Sequence, residues 1–489
     1  MKLLEILAKA NINYFTNLPD VEVRGITSRS NEVENDFVFV CLKGTKTDGH
    51  NYIQEAFNRG ACAVVIENPN YACDQAIVVE SSRCALANML NVFNGEPTRK
   101  IKFVGITGTN GKTSVSVMIK KIFEEYGLHC ELIGTLNCSS FSEKCQESQI
   151  HFTTPDPEEL YPMLRRMSDA GVEYVIMETS SHALKLKKLN PICFEMGIFT
   201  NLTEDHLDFH LTMEDYFKSK LELFNRCQLG IINIDDKYGE QISKIAPCKA
   251  RTCSMSKTAD YVVKSILTMN KNGSRYLISN RNEKFEINIK VPGEFSILNS
   301  VLSCACAREL DIDKKIIQKS FENFCGVKGR LERVELFEKV GVSVFIDYAH
   351  TPDALSKLLD ATRSFKQESG KIILVFGCGG DREKEKRAKM GEIAVKNSSL
   401  AIIANDNPRS ENPNSIIKDI LSGIGDFQNY VVIPDRKTAI EFAIASASKN
   451  DVVLLAGKGH ENYEINAHGT FPFDEREILC QIAKNYKEE

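Results

Sequence analysis

The spacing of apolar and polar positions predicts a first region of short strands with helices around them. Three apolar runs typical of strands occupy residues 37–40, 63–66 and 77–79. An amphipathic helical pattern opens the chain at residues 1–6, and a second helical pattern covers residues 83–93. The Asn-Gly-Glu-Pro sequence at residues 94–97 then interrupts the pattern. We therefore expect a first domain over residues 1–97.

The second region alternates strand and helix patterns. A predicted strand over residues 101–106 runs into a loop with two glycines, and a helical pattern over residues 114–126 follows, which Gly127 is expected to end. Further strands are predicted at residues 174–177, 196–199 and 231–234. Because strands that alternate with helices form parallel, doubly wound sheets, this pattern predicts a second, α/β domain over residues 98–330.

A third alternating series fills the remainder of the chain. Its apolar runs lie at residues 344–346, 372–376, 401–403, 431–433 and 452–455, with helical patterns between them. We expect a third domain over residues 331–489. Since 489 residues exceed what one hydrophobic core accommodates, three α/β domains in series are the predicted organisation.

Composition and charge narrow the functional classes. Hydrophobic residues make up 43% of the chain and charged residues 26%, as in soluble globular proteins. The formal net charge of -5 argues against nucleic acid as the main partner. The amino-terminal segment lacks the apolar core of a signal peptide, and no apolar run approaches the roughly 18 residues of a membrane-spanning helix. We therefore expect a cytoplasmic protein without a membrane partner.

The 16 cysteines do not form a recognisable framework. None stand in a C-x-x-C pair, so zinc-ligand spacing is absent. Several lie in apolar runs, namely Cys41, Cys62, Cys193, Cys304 and Cys306. We expect the cysteines to be small buried hydrophobes in a reducing compartment.

The loop after the strand at 101–106 has the composition of a phosphate-binding loop. Its residues are Gly108, Thr109, Asn110, Gly111, Lys112, Thr113 and Ser114. Glycines allow the backbone to approach phosphate oxygens, lysine adds a positive charge, and the Thr113 hydroxyl can bind Mg²⁺. Five residues separate Gly105 from Gly111, one more than in the usual P-loop. Phosphate binding alone fits motors, kinases and ligases equally.

Polar groups also follow later predicted strands, where sites of α/β proteins collect. Glu178 follows the strand at 174–177 and could hold magnesium or cap a helix. The acidic segment 201–208, which contains His206, is either a metal site or a solvated face. Four turns follow strands of the third region, at residues 347–353, 378–382, 406–409 and 457–461. We expect these four turns to share one cleft rim.

Taken together, these motifs resemble the Mur ligases, most closely the UDP-N-acetylmuramoyl-tripeptide synthetases. The resemblance runs nearly end to end through the phosphate loop and the segments 153–156, 178–184, 201–206, 329–332, 347–354, 377–382, 406–409 and 457–461. It implies an amino-terminal domain for the UDP end of the substrate, a central ATPase domain and a carboxyl-terminal Rossmann-like domain. The implied reaction phosphorylates a carboxylate of UDP-MurNAc-L-Ala-D-Glu with ATP and Mg²⁺, and an incoming amine then attacks the acyl phosphate.

The resemblance also implies roles for individual residues. Lys112, His206 and Lys220 would be catalytic, with Lys220 carbamylated, and Thr113, Glu178, His206 and Lys220 would bind the metal. The nucleotide would contact the phosphate loop together with Asn299, Arg330 and Asp347. The UDP-sugar-peptide would contact Ile26, Ser28, Thr45, Lys46, Thr47, Thr153, Thr154, Ser180 and Lys188. The amino acid would contact Arg382, Asp406, Asn407, Pro408, Arg409, Gly457 and Glu461.

The amino acid implied by Arg409 is meso-diaminopimelate, because a guanidinium can bind its distal carboxylate through two hydrogen bonds. The alternatives are an L-lysine-adding member, a different Mur-type ligase, a folylpolyglutamate synthetase, a P-loop ATPase motor or regulator, or an inactive binding protein. The chain departs from the family at Leu186 and Lys188, where Gln and Arg are frequent, and at Ser296, where Asn is frequent. We expect a monomer.

Overall fold

The computed structural model describes residues 1–14, 18, 20–44, 47–136, 153–280 and 283–485. The predicted substrate-facing residues Thr45 and Lys46 lie outside the described residues. The predicted mixed α/β fold is confirmed: the strands form parallel-rich sheets with helices on their faces. In the described part of the chain, no helix is long and apolar enough to cross a membrane.

The first sheet is parallel, with strand order β1-β2-β3-β4. Its strands are β1 (Gly25–Thr27), β2 (Phe37–Val40), β3 (Ala61–Ile66) and β4 (Ala76–Val78), and its helices are α1 (Leu3–Lys9), α2 (Ile53–Asn58) and α3 (Ser82–Phe93). Val38 and Val40 pack on one face with α1 and α3, whereas Phe39 packs on the opposite face with α2. Both faces are covered by helices, which is why the strand sequences are continuously apolar.

The second sheet contains nine strands from the described residues, in the order β13-β12-β11-β10-β9-β8-β5-β7-β6. They are β5 (Lys102–Thr107), β6 (Cys130–Ile133), β7 (Tyr174–Glu178), β8 (Phe194–Phe199), β9 (Cys227–Asn233), β10 (Lys249–Ser254), β11 (Tyr261–Asn270), β12 (Gly273–Ser279) and β13 (Lys284–Ile289). Strands β7 and β6 lie on one side of β5, and the later strand β8 lies on the other side. Such a reversal opens a crevice at the carboxyl end of β5.

Helices cover both faces of the second sheet. They are α4 (Lys112–Tyr126), α5 (Pro157–Asp169), α6 (Ser181–Lys185), α7 (Leu207–His210), α8 (Met213–Leu221), α9 (Lys237–Ile245), α10 (Glu294–Arg308) and α11 (Lys314–Glu322). Val104 and Ile106 of β5 face α4 and α10, while Phe103 faces the opposite side. Gly127 ends α4 with a φ of 95°, as predicted from its position.

The antiparallel end of the second sheet was not predicted. Strands β11, β12 and β13 pair antiparallel and extend the sheet beyond its parallel part. The outer half of β11 is exposed, so its sequence carries neither the apolar run nor the strict alternation that marks the other strands.

The third sheet has the order β14-β15-β19-β16-β17-β18, with only β14 antiparallel among these strands. Its strands are β14 (Glu332–Val334), β15 (Ser343–Asp347), β16 (Ile372–Phe376), β17 (Leu400–Ile403), β18 (Tyr430–Val432) and β19 (Val452–Ala456), followed by the hairpin β20 (Tyr463–Asn466) and β21 (Gly469–Pro472). The helices are α12 (Pro352–Phe365), α13 (Glu385–Asn397), α14 (Pro413–Leu421), α15 (Arg436–Ser446) and α16 (Glu475–Asn485). The parallel arrangement brings the ends of β15, β19, β16 and β17 to one edge.

The expectation that the cysteines are generally buried is wrong. Cys41, Cys304 and Cys306 are buried, but Cys193 is exposed and Cys62 is partly exposed. Cys193 lies in the surface turn immediately before β8, so its apolar neighbours in the sequence enter the core without it. All described cysteines are free thiols.

Candidate active site

The phosphate loop connects β5 directly to α4, and at two of its positions only glycine fits. At Gly108 the φ is 154°, and a Cβ atom would come within 1.8 Å of Thr200 Oγ1. At Gly111 the φ is 86°, and a Cβ atom would lie 2.7 Å from Asn299 Oδ1. The Lys112 ammonium folds back and donates to the carbonyls of Gly108 and Thr109, each at 2.9 Å. The result is a curled backbone whose amide groups and lysine converge at the amino end of α4.

The end of β8 supports this loop from one side. Asn201 accepts from the Thr109 amide at its carbonyl and from the Asn110 amide at Oδ1, both at 2.9 Å. Thr200 Oγ1 donates to the Asn110 carbonyl at 2.6 Å. The neighbouring strand therefore holds the loop in its curled conformation.

Glu178, the last residue of β7, is fully buried beside the loop. Its Oε2 accepts from the Thr113 hydroxyl at 3.0 Å, and its Oε1 accepts from the Thr135 amide at 3.0 Å. The Arg330 guanidinium lies 3.4 Å from the same Thr113 hydroxyl. The structure thus brings together a carboxylate, a hydroxyl and a cation at the point where a phosphate would meet the start of α4.

The acidic segment at 201–208 does not by itself form a cluster of metal ligands. Glu204 pairs with Lys389 at 3.1 Å, and Asp205 Oδ2 lies 3.4 Å from His206 Nε2. Among the described residues, no group of three or more His, Cys, Asp or Glu side chains is arranged to hold a metal ion. Any metal site here would need an additional oxygen ligand.

Lys220 and His206 both lie near Lys112. The Lys220 side chain is buried, with its ammonium 4.5 Å from the centre of the Tyr216 ring. Burial, with a contribution from nearby Lys112, holds the pKa of Lys220 well below its usual value. The His206 side chain is 47% exposed, and the partial loss of solvent around its ring lowers its pKa to about 4, despite the opposing effect of Asp205. Lys220 therefore loses its proton more readily than an exposed lysine does.

A cleft of about 680 Å³ extends from the phosphate loop between α10 and α12. At its inner end lie Asn299, Arg330 and Asp347, the residues that the resemblance assigns to nucleotide binding. The carboxylate of Asp347 accepts from the backbone amides of Leu331 and Ala349 at 2.6 and 2.7 Å, and burial raises its pKa. At its outer end the cleft is lined by apolar side chains, Phe295, Leu298, Leu358 and Ala361.

Among the residues implied for the UDP end, Ser28 connects the first sheet to α5. The Ser28 amide and hydroxyl both donate to Glu158 Oε1, at 3.2 and 2.5 Å. Ile26 is buried in β1, and the Thr47 carbonyl accepts from the Gly44 amide at 2.9 Å. Glu158 was not among the predicted residues, since nothing in its own sequence position separates it from an ordinary acidic residue in the first turn of a helix.

Thr153, Thr154 and Ser180 are connected to Glu178 by hydrogen bonds. The Thr154 hydroxyl donates to the Glu178 carbonyl at 2.8 Å and accepts from the Ser180 amide at 3.0 Å. Thr153 Oγ1 lies 3.2 Å from Thr135 Oγ1. Lys188 lies further out and pairs with Asp156 at 2.6 Å. The first three residues are therefore held in one place, beside the phosphate loop.

The four turns at the edge of the third sheet meet, as predicted. Asn407 is the central residue of this turn cluster. Its Nδ2 donates to Glu461 Oε2 at 2.7 Å, and its Oδ1 accepts from Lys458 Nζ at 3.1 Å and from the Ile465 amide at 3.0 Å. Its carbonyl accepts from the Gly380 amide at 2.9 Å. The hairpin β20-β21 therefore fixes the cluster from outside.

Arg409 contacts the cluster through backbone carbonyls. Its guanidinium donates to the Gly380 carbonyl at 2.9 Å and has no carboxylate within 4 Å among the described residues. The nearby Glu411 instead forms a two-point ion pair with the buried Arg387. Arg409 is therefore available for an anionic ligand. Arg382 lies on the exposed rim and donates to the Asp381 carbonyl at 3.4 Å.

Three further residues that were predicted to contact the amino acid also make contacts within the protein itself. Gly457 donates its amide to the Asp347 carbonyl at 3.0 Å and so joins two turns. Asp406 is buried beside Lys458 and Arg436, which lower the pKa of its carboxyl against the effect of burial. Pro408 contributes its carbonyl, which accepts from the Glu411 amide at 3.0 Å.

Two further residues that the sequence did not single out connect the parts of the site. Asp353, at the start of α12, accepts at Oδ2 from Asn110 Nδ2 at 2.8 Å, from Thr203 Oγ1 at 3.2 Å and from Lys357 Nζ at 2.8 Å. Arg387 joins Glu411 to Asp419 and to the Gly379 carbonyl. Asp353 belongs to a segment that was noted for other residues, whereas Arg387 lies in an ordinary helical pattern that gives no signal.

Three family models match consecutive parts of the chain. The Mur ligase family catalytic domain matches residues 22–94, the Mur ligase middle domain matches residues 106–307, and the Mur ligase glutamate ligase domain matches residues 329–459.

Individual relatives match the chain over nearly its whole length. The UDP-N-acetylmuramoyl-L-alanyl-D-glutamate–2,6-diaminopimelate ligase of Clostridium tetani is 41% identical over 99% of both chains. A solved structure of a ligase with the same name is 26% identical, covers 100% of this chain and 99% of its own, and has a TM-score of 0.70. A MurF ligase from Thermotoga maritima in complex with ADP shares the fold, with 19% identity, a TM-score of 0.60 and coverage of 95% of this chain and 98% of its own. With full-length identity of this degree and three matching domains, the chain belongs to the Mur ligase family.

Proposed function

We propose that this chain is an ATP-dependent ligase that adds meso-diaminopimelate to UDP-MurNAc-L-Ala-D-Glu in peptidoglycan precursor synthesis. The observation that carries the proposal is the juxtaposition of a phosphate loop with the turn cluster, which Asp353 joins through its contact with Asn110 at 2.8 Å. A ligase needs a phosphorylation site and a nucleophile site within reach of each other. The names of the relatives support this proposal, since they give UDP-N-acetylmuramoyl-L-alanyl-D-glutamate and 2,6-diaminopimelate as the two groups that are joined.

ATP fits the cleft between α10 and α12. Lys112 and the amides at the start of α4 suit the phosphates, and the apolar side chains at the outer end suit a planar base. Arg330 Nε is buried without a hydrogen-bond partner among the described residues, so a ligand oxygen would satisfy it. The ADP in the related MurF ligase supports a nucleotide in this family.

Magnesium fits the residues at the start of α4. Thr113 and Glu178 provide oxygen donors, which this hard cation prefers, and a carbamate on Lys220 would provide another oxygen in place of a positive charge. We propose these groups and His206 as the metal-binding residues. When bound, the ion would neutralise negative charge on phosphate oxygens.

The chain's own cations are suited to both halves of the reaction. In the first half, a carboxylate of the substrate takes phosphate from ATP, and the charge that develops lies near Lys112 and Arg330. In the second half, the amine attacks the acyl carbon, and phosphate leaves as the amide forms. Both halves concentrate negative charge in one place, which explains why two cations and a helix amino end point there.

We propose that the first domain (residues 1–97) holds the UDP end through Ile26, Ser28 and the segment 45–47. Thr153, Thr154, Ser180 and Lys188 would contact the sugar and peptide between that end and the phosphate loop. This route would bring the acceptor carboxylate close to Glu178, to which Thr154 is hydrogen bonded directly and Thr153 through Thr135.

For the amino acid we propose the turn cluster of the third domain (residues 331–489). Arg409, whose guanidinium has no carboxylate partner within 4 Å in the described part of the chain, would bind the distal carboxylate. Glu461 and Asn407 would bind the distal ammonium, and Arg382, Asp406, Pro408 and Gly457 would complete the pocket. We propose a monomer that acts in the cytoplasm, where ATP and nucleotide sugars are found, with the central domain spanning residues 98–330.

The test is a coupled assay of ADP release with the purified full-length chain. We expect ADP only when UDP-MurNAc-L-Ala-D-Glu and a diamino acid are both present, with meso-diaminopimelate preferred over L-lysine. ADP release without either substrate would instead indicate an ATPase motor or regulator, and would contradict the proposal.

A further inference from the structure

A second, smaller cavity lies between the phosphate loop and the turn cluster. It measures about 130 Å³, and its charged lining residues are Glu204, Asp205, Asp353, Glu383, Lys386 and Lys389. Asp205 immediately precedes His206, and Glu383 immediately follows Arg382. The cavity therefore adjoins residues of both the proposed phosphorylation site and the proposed amino-acid site.

Most of the charges around this cavity have partners. Lys389 pairs with Glu204 at 3.1 Å, Asp353 pairs with Lys357 at 2.8 Å, and Asp205 lies 3.4 Å from His206. Glu383 has no ion pair or hydrogen bond among the described residues. Within the part of the chain that the structure describes, Lys386 donates only to the His350 carbonyl, at 3.0 Å, although an ammonium has three N–H groups. Glu383 and Lys386 thus both face the cavity with polar groups that could still bind a ligand.

The surroundings of Lys386 favour an anion beside it, and the surroundings of Glu383 favour a cation. Lys386 is only 8% exposed and, although Asp205 and Glu383 lie near it, it has no ion pair within 4 Å among the described residues. Because a buried ammonium without a close partner is costly, an anion at this point would be stabilising. Burial raises the pKa of Glu383, and Asp205 and Glu204 raise it further against the opposing effect of Lys386. A second cation beside Glu383 would therefore relieve the remaining repulsion among these carboxylates. A small group that carries both charges matches the cavity.

We infer that this cavity binds the reacting end of the incoming amino acid, with Lys386 on the carboxylate and Glu383 on the neighbouring ammonium. This inference rests on the proposed function and extends it from the distal end of the amino acid to the end that reacts. An α-amino acid head carries the two charges on one carbon, which suits a cavity of this size. The amine would then lie beside Asp205 and His206, close to the position of the activated carboxylate.

The test compares meso-diaminopimelate with the analogue in which hydrogen replaces the carboxylate beside the reacting amine. For K386M in the full-length chain, we expect kcat/KM for meso-diaminopimelate to fall about 30-fold, mainly through KM, because a charge-assisted hydrogen bond is lost. For the analogue, which lacks the group that Lys386 binds, the expected change is less than about twofold by the same reasoning. E383Q, which preserves shape, should raise KM for both compounds and leave KM for ATP unchanged.

Matched controls are available at the start of α13. Lys384, which precedes the helix, and Glu385, its first residue, are exposed neighbours of Glu383 and Lys386. The contact of Lys384 with Glu411 is long, at 3.7 Å, and its side chain is 69% exposed, so K384M and E385Q should behave as the wild type. If K386M lowers kcat equally for both compounds and leaves KM unchanged, Lys386 acts on the transition state and the inference is overturned. An active wild type with unchanged KM in both K386M and E383Q also overturns it. A wild type that consumes no ATP with any amino acid contradicts the proposed function itself, and the inference with it.

Discussion

The phosphate loop and the turn cluster of the third sheet are assembled in different ways. The loop consists of consecutive residues from Gly108 to Ser114, which one neighbouring strand end supports. The turn cluster takes its residues from four segments between residues 347 and 461, which meet only because β15, β19, β16 and β17 are parallel neighbours. The loop presents mainly backbone amides and one lysine, whereas the cluster presents individual side chains such as Asn407, Arg409 and Glu461.

This difference separates what the two regions can recognise. Backbone amides at a helix amino end bind any phosphate, so the loop suits a substrate that many enzymes share. Side chains from separate turns can change one at a time, so the cluster suits selection among similar amino acids. Substitutions in the first region should therefore affect turnover with every amino acid, and substitutions in the second should affect the choice between amino acids.

The largest effect is expected near the phosphate loop, at Lys220. Lys220→Ala should lower kcat by about 10³-fold, because it removes the proposed carbamate and the charge stabilisation it supports. The steady-state rate of ADP release measures this change. Lys218→Ala is a matched control, since Lys218 lies on the same helix with a 69% exposed side chain. A fully active Lys220→Ala variant would show that Lys220 has no such role.

A large effect on selectivity is expected in the turn cluster, at Arg409. The wild type should prefer meso-diaminopimelate over L-lysine by about 10⁴-fold, because a site built for a carboxylate is left with unpaired polar groups when that carboxylate is missing. Arg409→Ala should reduce the ratio of the two kcat/KM values by about 10²-fold or more. KM for ATP should not change. Equal use of the two amino acids by the wild type, or an unchanged ratio in the variant, would refute the assignment.

An intermediate effect is expected in the first domain, which lies outside both the phosphate loop and the turn cluster. Ser28→Ala should raise Kd for UDP-MurNAc-L-Ala-D-Glu about tenfold, through the loss of one hydroxyl contact, and leave the affinity for ATP unchanged. Isothermal titration calorimetry measures both. Ser30→Ala serves as the control, because Ser30 lies two residues further along the chain, at the start of a short 3-10 helix and outside the predicted contacts. Loss of ATP affinity in Ser28→Ala would contradict a separate UDP site.

The smallest effect concerns stability of the turn cluster. Hydrogen bonds from Arg387 hold the pKa of Glu411 at about 2, below its usual 4.5. A depressed acid pKa stabilises the folded state above the usual pKa and loses that contribution as the pH falls towards the folded value. Glu411→Gln should therefore lower the unfolding temperature of the third domain by a roughly constant few degrees between about pH 8 and 5. The difference should shrink below about pH 4.5, and a difference that grows there would contradict this account.

Sequence reasoning was most successful where neighbouring residues determine the structure. The strand-loop-helix unit around Gly108 and the glycine that ends α4 follow from local steric and hydrogen-bonding rules. The meeting of the four turns followed from parallel strand topology. Each of these features depends on residues that are either adjacent or related by a general rule of sheets.

Other features could not be predicted because their signals lie in distant partners. Asp353, Arg387 and Glu158 matter through contacts with residues 24 to 243 positions away, which no local pattern records. The antiparallel end of the second sheet was not predicted, because the outer half of β11 is exposed and its sequence shows no apolar strand pattern. The roles assigned to individual site residues stay predictions that the experiments above address.

The contact between Asp353 and Asn110 has a consequence for the timing of catalysis. In the proposed function, the nucleotide cleft lies between α10 and α12. Release of spent nucleotide through separation of these two helices would break the hydrogen bonds from Asn110 and Thr203 to a single carboxylate oxygen of Asp353. Under this proposal the catalytic cycle would include an opening step of the kind that takes microseconds to milliseconds in other enzymes. The strength of these two hydrogen bonds would then contribute to how long ADP stays bound.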